Sequence, residues 1–408
     1  MSKANYRPVT VLPAINNIYE KILVLQLNDF YGSILSDFIS SYRKFHSCET
    51  SLLRMTEEWR SMRDNGQLVG IVSMDLSKAF DVIQHPLLIA KLKAYGLDKD
   101  SCALLRDYPS NRKQRVKIGD TFSSWNIVKR GVPQGSVLGP ILFNIFINDL
   151  FYDIKRAKLN AYADDHQIYY SDRDPVVLAE CLCKEVEKAN QWYNDNGMIV
   201  NKTKHQALIL GDTEYTFSFP VKESAIDIFG MNIDNKLHFD KHVSSVCKKI
   251  NNQLNVMIRF RKLLSKATLV KLYKAFILPH FHYCSSVWHF CDARNTEKLD
   301  ALNKRSLRFI LNDVESTYIT LLDKVNCVSL YNRRIHNMLI LLYKSLFLTK
   351  YPIYMRNMFT FRTTSYNLRG NYILVLPVPK TTSYGLRSFS YHAVKLWNSL
   401  PDSVRTLL

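Results

Sequence analysis

No stretch of the 408-residue sequence reaches the roughly 18 uncharged apolar residues of a membrane-spanning helix, and the opening MSKANYRPVT lacks the apolar core of a signal peptide. Both absences point to a soluble, intracellular chain with no membrane partner. The eight cysteines form no CxxC pair, which argues against a zinc ribbon or a disulfide framework and leaves free thiols. Acidic residues are scarce in one part only. Residues 231–408 hold 9 Asp+Glu against 27 Lys+Arg, whereas residues 1–230 hold 27 against 28. The net charge of +19 therefore lies almost wholly beyond residue 230, and a region that basic suits a polyanion. Hydrophobic content of 47% is ordinary for a globular protein, and the length allows two to three domains.

The acid that is present clusters. In LNAYADDHQIYY, Leu159, Ala161 and Tyr162 read as one short strand and Ile168, Tyr169 and Tyr170 as another, with Asp164 and Asp165 at the turn between them. Neighbouring carboxylates repel, and a hard divalent cation held by their oxygens relieves the repulsion. An acidic turn alone is usually just solvated, so the weight falls on other stretches. The apolar run 68–74 (LVGIVSM) predicts a strand that delivers Asp75 at its end. Three carboxylates on one sheet edge make a workable cage for Mg²⁺, with Mn²⁺ as the alternative.

Elsewhere the periodicity predicts an amphipathic helix over 15–30 and a second helix that Ser47 caps, with Arg43 and Lys44 just before it as candidate phosphate ligands. Pro86 starts a further helix. NRKQRVKIG predicts a basic strand turned at Gly119-Asp120. KRGVPQGSVLGP carries Gly131, Pro133, Gln134, Gly135 and Gly139 ahead of an apolar helix over 138–150, a backbone shaped for close approach. Beyond residue 230 the pattern is helical and basic, over 240–264, 266–278 and 294–311. HFHYCSSVWHFC offers His280, His282, Cys284, His289 and Cys291, but their spacing matches no common zinc signature and the aromatic content favours packed core.

The ordered blocks NYRPVTVLP, YRKFHSCET, MDLSKAFD, GVPQGSVLGP, AYADD, NGMIVNKTK and IFG resemble those of a reverse transcriptase of the non-LTR (LINE-like) retrotransposon kind. The resemblance covers residues 5–230. It implies an α+β right-hand polymerase: fingers and palm over 1–230, then a basic helical thumb and C-terminal region over 231–408. It implies Asp75, Asp164 and Asp165 as metal-binding catalytic aspartates and Phe80 as the ring that excludes a 2′-hydroxyl. Arg43, with Lys44 beside it, would bind the triphosphate, and Gln134 with Gly135 would pack on the incoming nucleotide and template. Phe229 and Gly230 would form the primer grip. Lys204 falls on the proton-donor lysine, although the family's Leu-Asn-Pro-Asp-Lys-Thr block reads VNKTKHQ here, with Lys202 nearby. The implied partners are an RNA template, a DNA primer and deoxynucleoside triphosphates, and the implied place of action is the nucleus. The chain is expected to lack the upstream endonuclease of such elements, and Pro109 to disturb the helix before it. A catalytically dead RNA-binding remnant and a domesticated structural protein are the competing readings; the intact aspartates argue against both.

Overall fold

The computed structural model describes residues 9–201, 205–217, 224–362 and 372–405. Its strands, in chain order, are β1 (Leu68–Ser77), β2 (Lys113–Gln114), β3 (Lys117–Ile118), β4 (Thr121–Phe122), β5 (Asn126–Ile127), β6 (Lys158–Tyr162), β7 (Asp165–Asp172), β8 (Ile199–Val200), β9 (Gln206–Leu210), β10 (Ala225–Ile228) and β11 (Met231–Asp234). The chain divides into two compact units. One contains residues 1–43, 70–207 and 215–221; the other contains 44–69, 208–214 and 222–408. These units do not follow a single cut at residue 230, because 44–69 groups with the C-terminal part.

Strands β6, β7, β1 and β8, neighbours in that order, form the sheet that organises the first unit. β6 and β7 form an antiparallel hairpin, Tyr162 opposite Asp165, and β8 lies antiparallel to β1 with Val200 opposite Leu76. The helix Gly139–Ile147 (GPILFNIFI) is buried on every side, as a sequence apolar all round requires. Its Phe143, Phe146 and Ile147 share a core with Met74, Leu76, Ile168, Trp192 and Tyr193. The helix Lys99–Asp107 ends just before Pro109, but Tyr108 between them keeps a helical backbone (φ −51°, ψ −51°) and its amide still donates to the Leu104 carbonyl, so the helix is not distorted ahead of the proline.

The second unit is mainly helical, and its middle helix, Cys48–Asp64, buries both apolar and charged residues. Ser47 caps it with Thr50 reciprocating, as expected. Glu57 on that helix accepts hydrogen bonds from the Phe389 and Ser390 amides, at 2.6 and 2.9 Å, at the start of the helix Phe389–Ser399. A carboxylate there meets amides that have no partner within their own helix. The basic helices fall at Asp240–Phe260 and Ala293–Leu311, and the segment expected over 266–278 is broken into Lys266–Leu272, a π-helical turn Tyr273–Ile277 and Leu278–His282. The π-turn precedes Pro279, which has no N–H for an α-helical bond.

In HFHYCSSVWHFC, Phe281, Cys284, Val287, Trp288, Phe290 and Cys291 are buried. Burial lowers His242 and His282 to about 4 and His289 to about 3, helped by Lys249, Arg333 and Arg334 respectively. A histidine whose folded value lies below its unfolded value near 6.5 takes up a proton more readily when unfolded, so stability falls as pH drops through 6.5 toward 4. Urea unfolding at pH 7 and pH 5 should show the protein weakened at pH 5, by about 1–2 kcal/mol for the well-buried His242 alone. An unfolding midpoint independent of pH over that range would contradict the burial of these rings.

Candidate active site

The three aspartates lie on two strands of one sheet and the turn between two of its strands. Asp75 is not at the end of its strand: β1 continues through Leu76 and Ser77, because these residues pair with Val200 and Ile199. Nor do both acids of the pair occupy the turn. Ala163 and Asp164 form it, and Asp165 is the first residue of β7. Ala163 takes a left-handed conformation at φ 54°, which a non-glycine residue adopts only under compensating contacts. Those contacts are present. The Ala163 amide donates to the Ser41 hydroxyl at 2.9 Å, and the Ala163 carbonyl lies 3.1 Å from His166 Nε2.

A carbonyl only accepts, so His166 Nε2 carries the proton and Nδ1 accepts from the Tyr193 hydroxyl at 2.7 Å. Burial lowers His166 to about 4, so the ring is neutral at pH 7. The turn is then joined to β1 directly: the Leu76 amide donates to the Asp164 carbonyl at 3.2 Å. This bond sets the backbone of Asp75 beside that of Asp164. Asp75's own carbonyl accepts from the Asn201 amide at 3.0 Å.

Carboxylate oxygens are hard donors and suit a hard divalent cation in kind. Among the described residues, however, no three His, Cys, Asp or Glu side chains converge as a ready-made metal cage. Burial, and secondarily the charge of Asp164, raise the Tyr42 phenol. The Tyr42 ring meets Phe80 edge-on at 6.1 Å, and Phe80 stacks on Phe143 at 4.8 Å. Phe80 is thus half-buried and backed by the core helix.

The GVPQGS loop is held on several sides. Gln134 Nε2 donates to Asp81 at 2.8 Å, and its carbonyl accepts from the Thr10 amide at 2.8 Å. Gly135 has φ 103°, and a Cβ there would stand 2.9 Å from the Thr10 carbonyl oxygen. Gly131 has φ 86°, with the Asp81 backbone 2.7 Å from where its Cβ would lie. Both positions require glycine.

The residue that anchors this loop does not stand out in the sequence pattern. Glu20, fully buried, receives the Val137 and Leu138 amides on one carboxylate oxygen at 2.6 and 3.0 Å. Asn16 Nδ2 and the Tyr108 hydroxyl reach the other oxygen, each at 2.8 Å. The helix expected over 15–30 is present as Ala14–Tyr31, but the face it buries is Glu20, Leu23, Leu27 and Tyr31. A lone carboxylate on that otherwise apolar stripe is the one signal the sequence offers.

Arg43 directs its guanidinium to the Ser36 and Ile39 carbonyls at 2.8 and 3.2 Å. Lys44 is exposed and belongs to the second unit. Phe229 and Gly230 form the tight turn between β10 and β11, also in the second unit, where the Tyr283 hydroxyl donates to the Phe229 carbonyl at 2.6 Å. Lys202 and Lys204 lie outside the described residues.

Residues 2–233 match the family described as reverse transcriptase (RNA-dependent DNA polymerase), over more than half of the chain. The chain belongs to the reverse transcriptase family. Its α+β character with an antiparallel sheet accords with that family's right-hand polymerase fold. Similar proteins include a probable RNA-directed DNA polymerase from transposon BS of Drosophila melanogaster, 25% identical over 76% of this chain and 36% of the relative. The RNA-directed DNA polymerase from mobile element jockey of the same species is 24% identical over 75% of this chain and 35% of the relative. The resemblance to non-LTR elements is thereby borne out. This reverse transcriptase chain spans about a third of the length of these relatives. Among solved structures, telomerase from Candida Tropicalis aligns with a TM-score of 0.44 and 15% identity, over 82% of this chain and 60% of that chain. No helix among the described residues is long and apolar enough to cross a membrane.

Proposed function

We propose that the chain is the RNA-directed DNA polymerase of a non-LTR retrotransposon, extending a primer 3′-hydroxyl with deoxynucleoside triphosphates on an RNA template. The observation that carries this reading is the bond from the Leu76 amide to the Asp164 carbonyl, which sets two acidic positions side by side within the family's ordered blocks. Asp75 and Asp164 would hold divalent metal, Mg²⁺ by preference, with Asp165 supporting. Bound there, such ions would activate the hydroxyl and neutralise the charge of the departing pyrophosphate. The chain's own residues position the reactants. Phe80, backed by Phe143, presents a rigid ring where the incoming sugar would lie. Gln134 and Gly135 would pack on the nucleotide, with Arg43 and Lys44 on its phosphates and Lys204 as proton donor.

We assign 1–230 to fingers and palm and 231–408 to a thumb and C-terminal region, with Phe229 and Gly230 against the primer. Lys248, Lys249 and Arg259 are exposed on the helix Asp240–Phe260 and Lys262 just beyond it, available to duplex phosphates. Action in the nucleus is part of the same proposal and rests on the family resemblance alone.

Primer extension by the purified chain on an RNA template, with Mg²⁺ and deoxynucleotides, tests the reading. Absence of extension by folded protein would overturn it. Within the same assay, Phe80→Ala should raise ribonucleotide relative to deoxyribonucleotide incorporation by roughly tenfold or more, since removing the ring relieves a steric exclusion of about 1–3 kcal/mol. An unchanged ratio would make Phe80 a packing residue only.

A further inference from the structure

Residues 112–130 leave the core of the first unit as an antiparallel ribbon. β2 pairs with β5, Lys113 opposite Ile127, and β3 pairs with β4, Lys117 opposite Phe122. The Ser123 amide donates to the Val116 carbonyl at 2.9 Å and carries the pairing between the two short ladders. The turn falls at Gly119 and Asp120, where the sequence pattern puts it. At the root, Arg130 bridges to Gln84.

Every residue from 113 to 127 is exposed, including Ile118, Phe122, Trp125 and Ile127. Core packing therefore does not account for the two aromatic rings. A shared neighbour orders them both: the Arg115 guanidinium carbon lies 4.0 Å from the centre of the Phe122 ring and 4.6 Å from that of Trp125. Lys117 Nζ stands 5.3 Å from the Phe122 centre. The segment 112–130 carries six Lys or Arg against the single Asp120. At its root a cleft of 320 Å³ is lined in part by Lys78, Arg112, Lys113, Arg130 and Gln134, with Asp81 as the acid, already held by Gln134.

We infer that this ribbon is a binding site for single-stranded polynucleotide, and specifically for the RNA template strand where it is not yet paired; the choice of strand rests on the polymerase reading. Exposed rings stack on bases without regard to sequence, and cations along the same path neutralise phosphates. The two requirements coincide here and nowhere in the ribbon conflict: rings and guanidinium at the middle, cations and cleft at the root. A paired duplex offers its phosphates but hides its base faces, so the rings discriminate in favour of the unpaired strand. A second protein chain would find apolar surface here, but surrounded by uncompensated positive charge.

The test is the affinity of the full chain for a short labelled oligouridylate, for its deoxy counterpart and for a blunt duplex. Phe122→Ala combined with Trp125→Ala should weaken oligouridylate binding by roughly tenfold or more and leave duplex binding and thermal unfolding unchanged. Arg112→Gln combined with Lys113→Gln should flatten the dependence of log affinity on log salt by about 0.7 for each phosphate that is no longer neutralised. Oligouridylate binding unaffected by the ring substitutions would overturn the inference, as would a change in self-association in its place. Equal binding of the deoxy oligomer would overturn the assignment to RNA while sustaining the single-strand site. Primer extension on the parent protein separates the two readings: ring-dependent binding without extension overturns only the polymerase, and extension with ring-independent binding overturns only the ribbon.

Discussion

Asp164→Asn should reduce primer extension by roughly a thousandfold or more if Asp164 holds divalent metal as proposed, since losing its charge would then remove several kcal/mol of transition-state stabilisation. The same protein should unfold at the parental temperature. The reason for that second half is structural: Asp164 joins β1 through its backbone carbonyl, which asparagine retains, and the turn is held by Ser41 and His166 through Ala163. Thermal unfolding and extension measured on one preparation check both halves. A well-folded variant that extends primers at the parental rate would remove Asp164 from the chemistry.

The largest expected effect on stability belongs to Glu20→Ala. It leaves the Val137 and Leu138 amides buried without an acceptor and strands the Tyr108 hydroxyl and Asn16 amide as well. An unsatisfied buried donor costs about 1–3 kcal/mol, so a loss of about 3 kcal/mol or more is expected by urea unfolding. Because those amides lie just after Gln134 and Gly135, the loop should also lose its fixed shape, and nucleotide KM should rise more than kcat falls. Glu20→Gln should be milder, since one carbonyl oxygen remains to accept. Parental stability in the alanine variant would show that the loop is held by Thr10 and Asp81 without it.

What can be read from the sequence is local. The β6–β7 hairpin follows from apolar flanks around a turn, the strand of Asp75 from an apolar run, and the Gly119 turn from a glycine between basic strand residues. What escapes depends on distant partners. β1 extends past Asp75 because Ile199 and Val200 pair with Ser77 and Leu76, and no residue near 75 announces that. The turn shifts onto Ala163 because Ser41 and His166 stabilise a backbone that alanine alone disfavours. Arg43 reads as a cation awaiting phosphate, yet its guanidinium has carbonyl partners four and seven residues back. The apolar residues of Ala14–Tyr31 suggest a simple greasy face, whereas the buried stripe includes the carboxylate that holds the loop. Motif order carries the family; side-chain partners decide the geometry.

The joint at Ser41 bears on how the molecule is made. Ser41 is 122 residues from the Ala163 amide it accepts, and its carbonyl accepts from Asn144 Nδ2 at 2.8 Å, 103 residues away. Leu76 must likewise find Asp164. Closing loops of that length costs conformational entropy before any of these bonds forms, which slows folding relative to a chain of local contacts. During synthesis the early helices can form as they emerge, but the acidic turn cannot take its final shape until the β6–β7 segment has left the ribosome and reached Ser41 and β1. The candidate site is therefore a late product of folding, and the growing chain carries its apolar β1 strand without these partners for the whole interval.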